Sequence, residues 1–293
     1  MSIVIVSSME DPASTNIKNS LLRHTRWKEL NMSMFNGNPV YQHLDMNDVV
    51  MITINDKMIQ HEDLDKEVEE QLGIKPKQMI FVSRHKGKSG EPTLSVHPIG
   101  NYGDAQFGGK PKTLVKSSPC MMTQLLRYIK TNVKKMGLYH KVCFEVTHHG
   151  PYIDVPAFFA EVGSTEREWS KKEGAEAVAW SIIMLLKSYH YENDFPRDII
   201  VLIGIGGGHY APRFTDIVFE KNVAFGHMIP SYHIEDGNVD IEILKKTLQA
   251  TPNVSGVYFS RKALKKSQLS EYKEWIKNMG VPVFSSRELP SLF

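Results

Sequence analysis

The sequence predicts an α/β fold: a largely parallel or mixed sheet with helices on both faces. Three observations predict it. Short β-rich runs alternate with helical patterns along most of the chain, as βα units do. A glycine-rich loop, "GIGGGHYAPRFTD", directly follows the apolar run "DIIVLI", the place where ligand-binding loops of α/β sheets occur. The 293 residues, 41% hydrophobic and 23% charged, are enough for a large core and ordinary for a globular protein.

Taken in order, "SIVIVSS" (2–8) is the first strand; no basic segment precedes its short apolar stretch, so it does not read as a secretion signal. "DVVMITIN" (48–55) and "QMIFVS" (78–83) flank a helix, "LDKEVEEQLG", that Gly73 closes. Residues 84–116 are rich in Gly, Pro, Ser and Lys with weak periodicity, and are expected to form a long functional loop. A helix over 120–137 leads to the strand "KVCFEVT" (141–147), and "AFFAEVG" (157–163) is the next strand. From 166 to 189 Ala175, Val178, Ala179, Ile182, Ile183, Leu186 and Tyr189 recur at helical spacing, with Thr165 and Glu168 placed as a capping box. "DIIVLIG" (198–204), "VAFGHMI" (223–229), "SGVYFS" (255–260) and "VPVFSS" (281–286) complete the strands, and "IEILKKTLQA" and "SEYKEWIKNMG" the helices. One compact α/β unit over 1–293 is expected, with a subdomain boundary near 110–120 and a smaller α+β subdomain as the alternative.

Composition excludes several classes of function. No apolar run approaches the ~20 residues that span a bilayer, so no membrane role is expected and the cytoplasm is. Cys120 and Cys143 make no disulfide framework and no C-x-x-C site. A net charge of +2 does not announce nucleic-acid binding. Two local clusters, Lys110, Lys112 and Lys116, and Arg261, Lys262, Lys265 and Lys266, read either as solvated faces or as a phosphate track.

The histidines carry the functional signal. Of 12, His85, His148, His149, His209 and His227 fall at or near the carboxyl ends of predicted strands. A shared sheet edge would bring such distant positions together, and His with carboxylate suits a catalytic metal. Glu145 and Glu161 are the carboxylate candidates, each also compatible with pointing to solvent, and His97 in the long loop is a further ligand or proton carrier. The other histidines read as structural. Gly206, Gly207 and Gly208 permit close backbone approach to a phosphate or an oxyanion. They fit neither nucleotide motif: His209 replaces the third glycine of the dinucleotide fingerprint, and the P-loop's Lys-Ser/Thr end is missing.

In order along the chain stand "SRH" (83–85), "GN" (100–101), "GG" (108–109), "THHGP" (147–151), "EVGS" (161–164) with Trp169, "GIGGGHY" (204–210) and "GHMI" (226–229). With these the sequence resembles the archaeal and plant type of D-aminoacyl-tRNA deacylase over nearly its whole length. The resemblance implies a cytoplasmic enzyme that hydrolyses the ester between a D-amino acid and the terminal ribose of tRNA. It also implies zinc dependence and a fold related to peptidyl-tRNA hydrolases and nucleoside phosphorylases; a monomer is expected. From the residues themselves, His85, His148, His149 and His209 are the expected zinc ligands, with His148, His149, His209 and Glu145 as catalytic groups. Gly206, Gly207, Gly208, His97, His227, Glu161, Lys110 and Lys112 are expected at the substrate. The alternatives are a metal-dependent hydrolase or phosphorylase acting on a small nucleoside or ester, and a nucleotide-binding module in which the histidines are incidental.

Overall fold

A computed structural model describes residues 2–191 and 199–292. In chain order the elements are β1 (Ser2–Ser8), α1 (Pro12–His24), β2 (Trp27–Phe35), β3 (Asn38–His43), β4 (Val49–Ile54), α2 (Leu64–Leu72), β5 (Pro76–Lys86), β6 (Thr93–Pro98), β7 (Gly100–Asn101) and β8 (Thr113–Leu114). They continue with α3 (Pro119–Lys135), β9 (Lys141–Phe144), β10 (Ala157–Ser164), α4 (Glu166–Ser170), α5 (Lys172–Tyr191), β11 (Ile200–Ile205), α6 (Pro212–Glu220) and β12 (Val223–Ile229). The last are α7 (Ser231–Glu235), α8 (Ile241–Gln249), β13 (Val254–Phe259), α9 (Lys266–Asn278) and β14 (Val283–Phe284).

Among the described residues the strands form a large mixed sheet, β2-β3-β4-β1-β5-β10-β6-β9, and a smaller parallel one, β12-β11-β13-β14. The α/β class with a mixed sheet is therefore as expected. No described helix is long and apolar enough to cross a membrane.

Strand alternation sorts the large sheet into two faces. Ile80, Val82, Phe158, Ala160, Val162, Leu94 and Val96 pack against α1, α3 and α5 in a core that also reaches Phe214, Phe225 and Tyr258 of the smaller sheet's layer. The intervening positions, Met79, Phe81, Ala157 and Phe159, line a second apolar cluster beneath α2. On that second face the pattern changes toward the strand ends. Ser83, His85 and Glu161 continue the series that Met79, Phe81 and Phe159 began, so an apolar face becomes a polar one without any change of period.

Several expectations need correction. The stretch 84–116 is not one loop: β6 enters the large sheet between β10 and β9, antiparallel to the first, and β7 and β8 pair with each other. The helix from 166 breaks at Lys171, whose backbone is extended, and Thr165 makes no side-chain cap. The Glu168 carboxylate instead accepts from Lys171 at 2.7 Å. The hairpin β2–β3 was missed although Asn36-Gly37, both at positive φ, is a strong turn signal. Asp198, the first residue of the predicted strand 198–204, lies outside the described residues.

Candidate active site

The site lies on the polar end of that second face. Register places Ser83 opposite Glu161 and His97 opposite Phe159, so these side chains share one side of the sheet. On β9, Cys143 pairs with Ser95, and Glu145 two residues on points the same way. The expected cause of convergence was different. β6 and β9 run antiparallel to β5 and β10, so their carboxyl ends do not share an edge; a shared face, not a shared edge, gathers the residues.

His148 and His149 follow in a turn that three backbone bonds hold. Thr147 N–H donates to Met228 O at 3.0 Å, Gly100 N–H to His149 O at 2.9 Å, and Gly150 N–H to Phe107 O at 3.2 Å. His149 itself sits at φ +45°. Gly150 packs so closely on Gly108 and Gly109 that a Cβ on it would fall 2.2 Å from Gly109 N, a distance no side chain tolerates. His209 arrives from the smaller sheet, tied by the Val146 N–H donating to its carbonyl at 2.9 Å. Gly206 and Gly207, at φ +96° and +105°, make the turn that delivers it.

Two donor groups result, each with ligand atoms within 4.8 Å of one another: His97, His148 and His149, and His85, Glu145 and His209. In the first, each Nδ1–H donates to a backbone carbonyl: His97 to Pro98 at 3.1 Å, His148 to Val146 at 2.8 Å and His149 to Gly150 at 2.9 Å. This fixes the tautomer and leaves three Nε2 lone pairs, the arrangement metal-binding imidazoles adopt. His97 Nε2 is buried with no hydrogen-bond partner. Burial, reinforced by His97 and its neighbours, holds His148 well below the usual imidazole range and His149 at about 4, so both are neutral donors near pH 7.

The second group is ionic. His209 Nε2, His85 Nδ1 and His148 Nε2 stand 2.8, 3.2 and 3.5 Å from Glu145 Oε2. Glu145 is fully buried, and neither of its oxygens accepts a hydrogen bond of good geometry. Burial would push its carboxyl up, but His209 and His85 outweigh this and hold it well below the usual range. Glu161 behaves alike: burial opposes its charge, yet His97 and His85 hold it at about 2. For His85 burial disfavours the charge and the two carboxylates overcome it, raising the imidazole to about 11.

An unpartnered imidazole nitrogen, an unsatisfied carboxylate and two neutral imidazoles with anchored tautomers fit a divalent cation of nitrogen and oxygen preference. The donor set suits zinc chemically, and His97, His148 and His149 are the best-prepared ligands.

The structure gathers His85, His97, Glu145, His148, His149, Glu161 and His209. It does not gather His227, which is fully buried in β12 with Nδ1 3.1 Å from Thr147 Oγ1 and Nε2–H donating to Val115 O at 2.9 Å. His227 braces the "THH" turn through Thr147 and has no ring nitrogen left for substrate. The expected Gly207 oxyanion donor is also spoken for, since its N–H donates to Ser231 Oγ at 2.8 Å, and that of Gly206 donates to Ile229 O. Gly208 is exposed at the tip. Lys110 lies over the Tyr152 ring at 3.7 Å, and Lys112 is exposed at φ +48°.

Three participants escaped sequence reasoning. Ser83 Oγ donates to Glu161 Oε1 at 2.6 Å, and Trp169 Nε1–H donates to His85 O at 2.9 Å. Tyr210 Oη lies 3.0 Å from His85 Nε2. Ser83, Trp169 and Tyr210 all sit inside the quoted motifs, but nothing in spacing shows which atom a hydroxyl or indole will meet. Beside His149 and Glu161 opens a cavity of about 290 Å³, whose walls include Met58, Ile59, Phe107 and Phe159.

Comparison with known proteins agrees with this site's motifs. A family model described as D-aminoacyl-tRNA deacylase matches residues 72–284. D-aminoacyl-tRNA deacylase of Thermococcus kodakarensis is 39% identical over 89% of this chain and 92% of its own. That of Pyrococcus abyssi is 38% identical over 95% and 97%. A solved structure described as a conserved protein of unknown function superposes with a TM-score of 0.85 at 30% identity, covering 99% of this chain and 98% of its own. A Campylobacter jejuni nucleosidase aligns with 64% of the chain at TM-score 0.42 and 12% identity, too weak a likeness to support the expected phosphorylase kinship. The motifs that meet around Glu145 are thus set in a chain most of whose length has its counterpart in one group of proteins, and this chain is a member of the D-aminoacyl-tRNA deacylase family.

Proposed function

We propose that this protein hydrolyses the ester between a D-amino acid and the 3′-terminal ribose of tRNA, as a cytoplasmic monomer with zinc held by His97, His148 and His149. One observation carries the metal reading: three imidazoles, each with Nδ1–H given to a backbone carbonyl, have ligand nitrogens within 4.8 Å of one another, His97 buried and His148 and His149 half-buried. Zinc bound there supplies Lewis acidity and lowers the pKa of a water in contact with it to about 7.

The chain's own groups do the rest. Glu145, ionised and buried, accepts the proton of the attacking water. His209, its 2.8 Å partner, has a side chain 36% exposed and so stands between that carboxylate and the substrate. From there it passes the proton to the departing ribose hydroxyl. His85 is held cationic by Glu145 and Glu161, so its Nε2–H donates to Tyr210 Oη and leaves the tyrosine proton free for the tetrahedral oxyanion. The 290 Å³ cavity beside His149 and Glu161 takes the amino-acid side chain. Closely packed backbone there excludes the L enantiomer, because rejection discriminates hands where attraction to many different side chains does not. Lys110 and Lys112 contact tRNA phosphates.

The test uses matched D- and L-aminoacyl-tRNA, with and without a chelator, together with metal analysis of the purified chain. Release of the D-amino acid alone, lost on chelation and restored by zinc, is the expected outcome. Chelator-resistant deacylation would remove the metal; equal turnover of a small nucleoside ester and the tRNA would favour the small-substrate alternative.

A further inference from the structure

We infer that a second, cationic cavity at the carboxyl ends of β13 and β14 receives the single-stranded 3′ segment of the tRNA, just upstream of the terminal adenosine. This rests on the deacylase reading of the catalytic site. The cavity measures about 800 Å³, within the range of pockets that hold sizeable ligands, and its walls include Arg213, Arg261, Lys262 and Arg287.

Its charge is unbalanced. Among the described residues none of these four cations pairs with a carboxylate within 4.0 Å. The acidic neighbour, Glu288, accepts from Ser285 N–H at 2.7 Å and from Ser285 Oγ at 2.6 Å and also feels the charge of Arg261, so one carboxylate stands against four cations. Three guanidinium groups and one ammonium around one hollow repel each other, an anion among them relieves this, and phosphate is the anion whose geometry the guanidinium matches. Arg213 is positioned for this: its Nε–H donates to Tyr258 Oη at 3.0 Å, which orients the rest of the guanidinium. Phe284, half-buried, is also part of the wall, and aromatic side chains are what unpaired bases pack against.

Location selects the ligand. Arg213 lies four residues after His209, on the helix that the glycine loop enters. β13 pairs directly with β11, the strand that ends in that loop, with Ile205 opposite Phe259. The wall between the two is braced, since Gly207 N–H donates to Ser231 Oγ and Ser231 Oγ donates to Ala263 O at 2.7 Å. A terminal ribose at His209 must continue into a phosphodiester strand, and this cavity opens at the end of the strand next to the one that carries the glycine loop. A free nucleotide would leave the link to His209 without purpose.

The test titrates the full chain, wild type and Arg213→Ala/Arg287→Ala, with a 5′-fluorescent oligoribonucleotide ending in CCA, by anisotropy at several salt concentrations. The wild type is expected to bind, and the double variant at least tenfold more weakly. Its log K against log salt should be shallower by about 1.4, two single-strand phosphate contacts at about 0.7 each. Arg287→Ala alone, at an exposed position, keeps the test open if loss of the Tyr258 bond unfolds the double variant. Equal affinity and slope in wild type and variants, no binding by the wild type, or displacement by equimolar inorganic phosphate would each overturn the inference. Wild-type deacylation of D-aminoacyl-tRNA is scored separately, so a failed deacylase reading shows as no hydrolysis whatever the oligonucleotide does.

Discussion

The two donor groups of the site stand side by side and are built on opposite principles. His97, His148 and His149 are set up as nitrogen donors: their tautomers are fixed by carbonyls, and burial keeps His148 and His149 neutral. In the other group the buried carboxylate of Glu145 faces His85 and His209, and His85 is held cationic. The difference teaches that identical side chains become ligand or acid according to what their second nitrogen meets. A backbone carbonyl leaves the opposite lone pair available; a carboxylate raises the proton affinity and makes the ring a charged partner.

Removing a donor from the first group should have the largest effect. His148→Ala is expected to lower deacylation of D-aminoacyl-tRNA by roughly 10³-fold or more and to lose bound zinc, with the far-ultraviolet circular dichroism of the wild type. A folded variant with full activity and full metal would erase the distinction between the groups. Breaking the second group should show in stability as well as rate. Glu145→Gln leaves the buried, cationic His85 without its nearer counter-charge, so denaturant unfolding should report a loss of about 3 kcal/mol even in chelator, alongside roughly 10²-fold slower turnover.

The pH dependence of the chelated protein sharpens the same contrast. His149 folds to about 4 from 6.5, so its contribution is present above pH 6.5 and is lost as pH falls through 4. Glu161, at about 2 against 4.5, contributes above 4.5 and loses that contribution toward pH 2. His85 is raised to about 11, so its contribution is complete below 6.5 and disappears as pH climbs through 11. The melting temperature should therefore be highest near pH 6.5. His85→Gln should flatten the alkaline limb and spare the His149 part of the acid limb; an unaltered alkaline limb would show that the second group is not the ionic one.

The smallest effect belongs to the rim. Tyr210→Phe removes one hydroxyl 3.0 Å from His85 and should slow kcat about tenfold with little change in metal content or KM. A change in KM alone would make Tyr210 a substrate contact and not an oxyanion donor.

Much of the scaffold was legible because it repeats locally. "SIVIVSS" and "VAFGHMI" match β1 and β12 residue for residue, and the Gly73 terminus of α2 needs only a left-handed residue. β6 was not legible: "TLSVHP" is short, ends in proline and lies in a glycine-rich stretch, and its place between β10 and β9 comes from partners more than 45 residues away. The same is true within the site. Side-chain parity along a strand put Ser83, His85 and Glu161 on one face in principle, yet it could not say that His97 joins them or that His227 does not.

By itself the sequence determined the α/β class, the motif order that marks the family, and the roster of imidazoles and carboxylates from which the site is drawn. Tertiary structure alone decided which of them meet, that Gly207 spends its N–H on Ser231, and that the donors divide into a trio anchored on backbone carbonyls and one built around a buried carboxylate. The reason is physical: periodicity is a property of neighbours along the chain. The protonation and tautomer of a buried ring are instead set by whichever atom, from whatever distance in sequence, is packed within about 3 Å of its nitrogen.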